Sequence, residues 1–123
     1  MKTNAVNWFE IPVTNLERAK GFYEQVTGNE LSVQEQFGNK MAWFPMKQDA
    51  IGCTGALIQG ESYVPSATGS VVYFSVQDLE ESLKVAVRNG GEVLVPKTPI
   101  GEFGFIAQLK DTEGNRVALH SES

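Results

Sequence analysis

Residues 11–31 read IPVTNLERAKGFYEQVTGNEL, and residues 74–94 read FSVQDLEESLKVAVRNGGEVL, a degraded copy of the same pattern. In both stretches a strand end is followed by a helix start, a glycine that stops the helix and the opening of another strand. The paired positions, all at one constant offset, are Val13 and Val76, Asn15 and Asp78, Leu16 and Leu79, Glu17 and Glu80, Gly28 and Gly91, and Leu31 and Leu94. The sequence therefore predicts one structural unit used twice.

The first unit opens with a strand over residues 6–13, in which side chains alternate between two faces. One face is apolar and suits a covering helix, whereas the opposite face carries Trp8 and Glu10. Thr14 and Glu17 then match a capping-box pattern, which predicts that a helix starts at this point. The face with Trp8 and Glu10 is left for another role.

Turn-forming residues divide the rest of the chain into further elements. In order, we expect a helix at 16–26, strands at 31–37, 40–46 and 52–59 with a Gly38-Asn39 hairpin turn, a connector at 59–69, a strand at 71–76, a helix capped by Asp78, a strand from Glu92, a loop at 96–102, and strands at 103–109 and 116–121. We predict an α+β fold in one domain of residues 1–123. Two tandem βαβββ modules, about 1–60 and 69–123, form a curved mixed sheet around a central cleft.

Composition limits the class of protein. The chain has 123 residues, of which 41% are hydrophobic, so it can build a core without disulfides. Its single cysteine, Cys53, is expected to be buried on a strand. The sequence shows no secretion signal and no apolar run of membrane-spanning length, so we predict a cytoplasmic protein with no membrane partner. A net charge of −5 argues against a nucleic-acid partner.

Three stretches resemble the vicinal oxygen chelate superfamily, the glyoxalase, bleomycin-resistance and dioxygenase group. They are IPVTNLERAKGFY at residues 11–23, its echo at 74–83, and the closing DTEGNRVALH at 111–120. The resemblance implies paired βαβββ modules around a cleft, in which many members hold a divalent metal by His, His or Gln, and Glu. Since small clefts in that family are often completed by a second chain, it also implies a possible homodimer.

The resemblance places the family's metal ligands on the first strand of each module and on the last strand. Here those positions hold Trp8, Val71 and Ala118, none of which offers a donor for a divalent cation. We therefore predict no metal site and no cofactor. Glu10 and the only histidine, His120, lie in the same strand phases two residues further on, which leaves a displaced site as an alternative.

The cleft-facing strand phases predict the ligand-binding residues. They are Trp8, Glu10, Trp43, Val71, Tyr73, Gln108, Ala118 and His120. Trp8 could stack on a planar ligand or only fill the cleft, and core packing is expected for at least one of Trp43 and Phe44. Glu10 and His120 are the candidate catalytic residues, and each also has a purely structural interpretation. The hydroxyl of Tyr73 could orient a ligand.

Two hypotheses for function follow. The first is a metal-free, bleomycin-resistance-like protein that binds a small amphipathic or aromatic molecule in its cleft. The alternative is a glyoxalase-like or lyase-like enzyme that acts on a small substrate with a displaced or absent metal site. An apolar cleft with few polar anchors favours binding, whereas an enzyme needs groups that converge on one reacting atom.

Overall fold

The computed structural model describes residues 4–123. Its elements are β1 (Trp8–Pro12), α1 (Leu16–Thr27), β2 (Ser32–Gln36), β3 (Asn39–Trp43), β4 (Thr54–Gln59), β5 (Val72–Ser75), α2 (Leu79–Arg88), β6 (Glu92–Pro99), β7 (Phe105–Lys110) and β8 (Arg116–Ser121), with a short 3-10 turn at Gly101–Phe103. The order βαβββ occurs twice, which confirms the predicted fold class. None of the helices formed by these residues is long and apolar enough to cross a membrane.

The strands form two four-stranded sheets with the same topology. Sheet one has the order β1-β4-β3-β2, and sheet two has the equivalent order β5-β8-β7-β6. The first strand of each module runs parallel to the last strand of that module, and the remaining pairs are antiparallel. The duplication read from the sequence is therefore present in the strand order.

The modules join through one core on the helix-covered side of both sheets. The Phe74 ring of β5 lies 5.7 Å from that of Phe9, 5.4 Å from that of Phe44 and 5.5 Å from that of Tyr23, all in module one. A side chain on Gly55 would collide with Phe9, so this glycine makes room for the ring. The helices α1 and α2 also pack on each other. The opposite face of each sheet points away from this shared core.

We name these two opposite faces by their residues. The free face of sheet one carries Trp8, Glu10, Met41, Trp43, Ala56 and Ile58. The free face of sheet two carries Tyr73, Ser75, Gln108, Arg116, Ala118 and His120. Neither helix of the described residues covers these faces, because side chains alternate along a strand and the core takes the other set.

Helix α1 starts differently from the prediction. The capping box of Thr14 and Glu17 is wrong, because the helix cap is Asn15, whose Oδ1 accepts a hydrogen bond from the backbone N–H of Arg18. Thr14 instead donates from its backbone N–H and its hydroxyl to the carboxylate of Glu113, in the turn between β7 and β8. The capping box would have paired the backbone N–H of Thr14 with Glu17. In the structure this N–H binds Glu113, a residue of module two.

A buried polar cluster lies behind this turn. The hydroxyl of Tyr23 donates to Oδ2 of Asp111 over 2.5 Å, and the side-chain amide of Asn115 donates to the same oxygen and to the carbonyl of Pro12. Burial raises the pKa of Tyr23 well above its usual value, and the negative charge of Asp111 adds to the effect. The cluster ties β1 and α1 to the end of sheet two.

Three local predictions are corrected. The hairpin turn falls on Phe37 and Gly38, both with positive φ (53° and 79°), which suits a two-residue turn one position earlier than predicted. The expected loop at 96–102 is largely strand, because β6 is an edge strand, where Pro96 costs no ladder hydrogen bond. Cys53 is exposed rather than buried, because β4 begins one residue later.

Candidate functional site

The free face of sheet one has an aromatic centre. The rings of Trp8 and Trp43 meet edge to face, with centroids 5.2 Å apart and an interplanar angle of 70°. Both rings pack against a small apolar cluster formed by Met41, Ala56 and Ile58. This cluster is separate from the shared core, so it stabilises the face itself. Trp43 therefore lies on the predicted ligand-facing side, whereas its neighbour Phe44 belongs to the core.

Glu10 lies beside this pair, at the rim. Its side chain is exposed, and Oε2 accepts a long hydrogen bond of 3.4 Å from the indole N–H of Trp8. Glu10 pairs in register with Ala56, which in turn pairs with Trp43. The carboxylate is thus available to a polar group of a ligand at the edge of an apolar surface.

The indole N–H of Trp43 is buried and has no hydrogen-bond partner within residues 4–123. An unpaired buried donor costs about 1–3 kcal/mol of stability. The indole ring of Trp43 instead contacts the ring of Trp8 on the neighbouring part of the sheet. The packing of the two tryptophan rings thus leaves the indole N–H of Trp43 without a hydrogen bond.

The free face of sheet two is polar and connected. Arg116 donates from Nη1 to Oε1 of Gln108 (2.8 Å) and from Nε to the carbonyl of Ala67 (3.2 Å). The amide Nε2 of Gln108 donates in turn to the hydroxyl oxygen of Tyr73 (3.3 Å). Ala118 is fully buried between them, because it pairs in register with both Tyr73 and Gln108. Its small side chain leaves space for their contact.

His120 is held on the same face by the 3-10 turn that precedes β7. Its Nε2 lies 2.6 Å from the carbonyl oxygen of Phe103. Because a carbonyl can only accept, Nε2 carries the proton and Nδ1 of the neutral ring keeps a free lone pair. A side chain on Gly104, at φ 99°, would collide with the Ser121 carbonyl, so the turn lies tightly against β8.

The structure brings the predicted site residues together in two groups. Trp8, Glu10 and Trp43 lie on sheet one, whereas Tyr73, Gln108, Ala118 and His120 lie on sheet two. Val71 immediately precedes β5 and is partly buried. Across residues 4–123, no hydrogen bond, ion pair or aromatic contact links the two groups. Glu10 and His120 therefore make no direct contact with each other within these residues.

The role of Arg116 was not predicted from the sequence. The strand phases contained the signal, because Gln108 pairs with Ala118 and Arg116 lies two residues before Ala118 on the same face. A guanidinium in that phase is within reach of the amide diagonally opposite. The contact between His120 and the Phe103 carbonyl had no comparable signal, because a turn positions that oxygen.

The residues at the family's metal-ligand positions do not fit a metal. Trp8 is packed against Trp43, Ala118 is buried under Tyr73 and Gln108, and Val71 has no donor atom. Residues 4–123 contain no group of three or more His, Cys, Asp or Glu side chains that could hold a metal ion. We derive no chemistry through a metal from this arrangement.

Two surface depressions lie at the two ends of α1. The first, of about 380 Å³, lies at the start of α1 and is lined by Val13, Thr14, Gly38, Lys40, Gln59, Gly60, Glu61 and Tyr63. The second, of about 430 Å³, lies at the end of α1 and is lined by Lys20, Glu24, Gln25, Gly28, Asn29 and Glu30. Both are open to solvent. Neither is lined by Trp8, Trp43 or any of the hydrogen-bonded side chains on sheet two described above, so we place the candidate site on the free faces.

The chain matches a model of the Glyoxalase/Bleomycin resistance protein/Dioxygenase superfamily over residues 5–119. It therefore belongs to this superfamily, as the repeated motif predicted. It is also 29% identical over 121 residues to a glyoxylase-like domain-containing protein from Didymella fabae, covering 93% of this chain and 91% of that protein.

Solved structures share the fold at low sequence identity. A glyoxylase/bleomycin resistance protein/dioxygenase domain from Frankia sp. EAN1pec has a TM-score of 0.74 at 14% identity and covers 99% of this chain and 100% of its own. A glyoxalase/bleomycin resistance protein from Albidiferax ferrireducens T118 has a TM-score of 0.72 at 17% identity, with coverage of 98% and 100%. Glyoxalase I from Zea mays has a TM-score of 0.69 at 19% identity, over 94% of this chain and 45% of its own.

Proposed function

We propose that this protein binds a small amphipathic or aromatic molecule without a metal, in the manner of a bleomycin-resistance-like protein. The Trp8 and Trp43 pair on an uncovered sheet face is the observation that carries the proposal. Aromatic rings on a free surface favour a planar apolar ligand, and the exposed carboxylate of Glu10 gives it a polar anchor. The polar groups on sheet two supply further anchors.

We further propose that two chains complete the cleft as a homodimer. The free face of sheet one in one chain would then oppose the free face of sheet two in its partner. Large apolar residues are exposed in the segments that lead into β1 and β4 and out of β3, at the Trp8 end of sheet one. They are Val6, Met46 and Ile51, with 61%, 68% and 103% relative exposure. Such a patch next to an aromatic pair favours burial against another surface.

A ligand screen tests the binding proposal. Tryptophan fluorescence and thermal shift would be recorded with antibiotics, aromatic metabolites and glutathione conjugates, on wild type, Trp8→Ala and Glu10→Gln. We expect a ligand whose affinity collapses in Trp8→Ala, falls less in Glu10→Gln, and which is recovered chemically unchanged. Lys84→Gln, on the exposed side of α2, serves as a control for charge change away from the site. A ligand with equal affinity for wild type and Trp8→Ala would contradict the proposal.

Two separate measurements test the metal-free and dimeric parts. Elemental analysis of protein purified without chelators should find no stoichiometric divalent ion. One equivalent of zinc, nickel, iron or manganese that is lost in Glu10→Gln or His120→Gln would instead support the displaced metal site.

Light scattering at micromolar concentration tests the homodimer. It should give twice the mass of one chain, which is 13.5 kDa. The cytoplasmic location and the absence of a nucleic-acid partner stay predictions from the sequence.

The alternative function is a glyoxalase-like or lyase-like reaction that uses Glu10 and His120. One observation favours it: His120 has a fixed tautomer, because Nε2 is held by the Phe103 carbonyl and Nδ1 is left as a base. In a homodimer, Glu10 of one chain could face His120 of the other. Turnover that disappears in His120→Gln or Glu10→Gln while ligand affinity survives would favour the enzyme over the binding protein.

A further inference from the structure

The hydrogen bonds on the free face of sheet two run in one direction. They start at Arg116, which donates to the Ala67 carbonyl and to Gln108, and they end at the hydroxyl oxygen of Tyr73. Tyr73 is 49% exposed, so the end of this relay is open to a ligand. We call these three side chains, Arg116, Gln108 and Tyr73, the relay.

Chemistry fixes the direction of the relay. A guanidinium has five N–H donors and no acceptor, so Gln108 must turn its carbonyl oxygen, Oε1, toward Arg116. The opposite amide orientation would place NH₂ against the guanidinium. The amide nitrogen of Gln108 therefore points to Tyr73, whose hydroxyl oxygen has to accept. With its oxygen engaged, the tyrosine keeps its own proton free to donate.

The start of the relay is also held in place. The Nε of Arg116 is bound to the carbonyl of Ala67 in the connector, and the adjacent Ser66 donates its backbone N–H to the side chain of Asn115. The guanidinium cannot rotate away without losing the contact with the connector. Because Arg116 is charged, its hydrogen bond to Gln108 also polarises the rest of the chain of bonds.

We propose that Tyr73 recognises the ligand as a hydrogen-bond donor, so that the molecule bound here carries an acceptor oxygen, either a carbonyl or a carboxylate, at this point. This inference rests on the proposed binding function and specifies the polar end of its ligand. A ligand group that can only donate, such as an ammonium, meets the free proton of Tyr73 and is disfavoured. The relay thus selects between molecules that have the same apolar body.

The substitution Gln108→Glu reverses the relay without changing its shape. A carboxylate at position 108 accepts from Arg116 on one side and from the Tyr73 hydroxyl on the other, so Tyr73 then turns its proton inward. Gln25→Glu is the matched control, because it makes the same chemical change on the exposed side of α1. Tyr73→Phe removes the end of the relay altogether.

The first readout needs no ligand. The intensity ratio of the tyrosine Fermi doublet in the Raman spectrum depends on whether the phenol group accepts or donates a hydrogen bond. The contribution of Tyr73 is obtained by subtracting the spectrum of Tyr73→Phe from that of each protein that retains Tyr73. We expect Gln108→Glu to shift this difference spectrum toward a strong donor, and Gln25→Glu to leave it unchanged. An unchanged Tyr73 spectrum in Gln108→Glu would overturn the inference, whatever happens to the proposed binding function.

The second readout uses three probes with one apolar body. They are 2-acetylnaphthalene, 2-naphthoate and 2-naphthylmethylammonium, which present a neutral acceptor, an anionic acceptor and a donor. In wild type we expect one or both acceptor probes to bind more tightly than the ammonium, and their affinity to fall about tenfold in Tyr73→Phe. The stronger of the two acceptor probes identifies a carbonyl or a carboxylate as the natural group.

The outcomes separate the two proposals. In Gln108→Glu the order of affinity should invert in favour of the ammonium, whereas Gln25→Glu should keep the wild-type order. Probes that bind through Trp8 but show the same affinities in wild type and Tyr73→Phe would overturn the relay and leave the binding function standing. Failure of all three probes to bind wild type would contradict the proposed function and this ligand assignment together.

Discussion

Arg18 of helix α1 and Glu113 of the turn between β7 and β8 form an ion pair across the two modules, with Nε 2.7 Å from Oε2. The side chain of Glu113 is fully buried, whereas that of Arg18 is half exposed. The same carboxylate accepts the backbone N–H groups of Thr14 and Asn15 at the start of α1. A carboxylate at this position also interacts favourably with the positive end of the helix dipole.

Replacement of Glu113 by Gln should destabilise the fold. An amide loses the charge that Arg18 and the two backbone donors face, and it places an NH₂ group where an acceptor is needed. We expect a loss of about 2 kcal/mol in the free energy of unfolding, measured by urea denaturation. Glu17→Gln, on the exposed side of α1, is the control and should change stability by less than about 0.5 kcal/mol. Equal stability of Glu113→Gln and Glu17→Gln would contradict a role for this contact in joining the modules.

The same carboxylate predicts how stability depends on acid. Burial alone would raise the pKa of Glu113, but hydrogen bonds from Arg18, Thr112, Asn15 and Thr14 outweigh it and lower the pKa from 4.5 to about 2. Since the folded value is the lower one, the stabilisation is complete above pH 4.5 and is lost as the pH falls toward 2.

Urea midpoints measured between pH 6 and pH 2 would check this dependence. Wild type should lose stability steeply below about pH 4.5, and Glu113→Gln should show a shallower slope over the same range. Parallel curves for the two proteins would mean that other carboxylates dominate the acid transition.

Tyr23→Phe should destabilise through the buried polar cluster rather than through packing. The ring stays, but Oδ2 of Asp111 loses its hydrogen bond from the Tyr23 hydroxyl and keeps only the bond from the amide of Asn115. We expect a loss of about 1–3 kcal/mol in the free energy of unfolding, by thermal or urea denaturation. Tyr63→Phe is a matched control, because the Tyr63 hydroxyl has no hydrogen bond to any residue from 4 to 123. A smaller effect in Tyr23→Phe than in Tyr63→Phe would be contrary evidence.

Phe37→Asn should stabilise the hairpin between β2 and β3. Phe37 adopts a left-handed conformation at φ 53° and is 97% exposed, so it has strain to relieve and almost no packing to lose. Asparagine tolerates this conformation and suits a two-residue turn before glycine. We expect a gain of about 0.5–1 kcal/mol, seen as a higher urea midpoint. In the opposite direction, Gly38→Ala at φ 79° should destabilise.

The sequence predicted the modules well because their signals are local. The helix stop at Gly28, the helix starts at Asn15 and Asp78, and the alternation along the strands all lie within a few residues of the feature that they determine. The second predicted stop, Gly91, lies three residues beyond the end of α2 at Arg88, because Asn89 is the cap of that helix. What the sequence did not show is how the modules meet. The Phe9 and Phe74 rings touch only because two separate units dock, and no periodicity encodes that orientation.

For the candidate site, too, the sequence predicted the local features but not those that depend on contacts between distant residues. Strand phase placed Trp8 with Glu10, and Tyr73 with Ala118, on common faces, as the register shows. Strand phase also put Arg116 on the face of Gln108, but it did not show that Arg116 orients this residue, because a side-chain amide can face either way. The division of the site between two sheets likewise depends on docking and not on pattern.

The exposed position of Cys53 makes the proposed homodimer testable without redesign of the protein. Its thiol is the only one in the chain and lies next to Thr54, the residue paired in register with Trp8. A nitroxide attached there puts one spin label on each chain at the end of the aromatic face. Pulsed electron paramagnetic resonance would then give the distance between the two labels, and so report how two copies are oriented in solution.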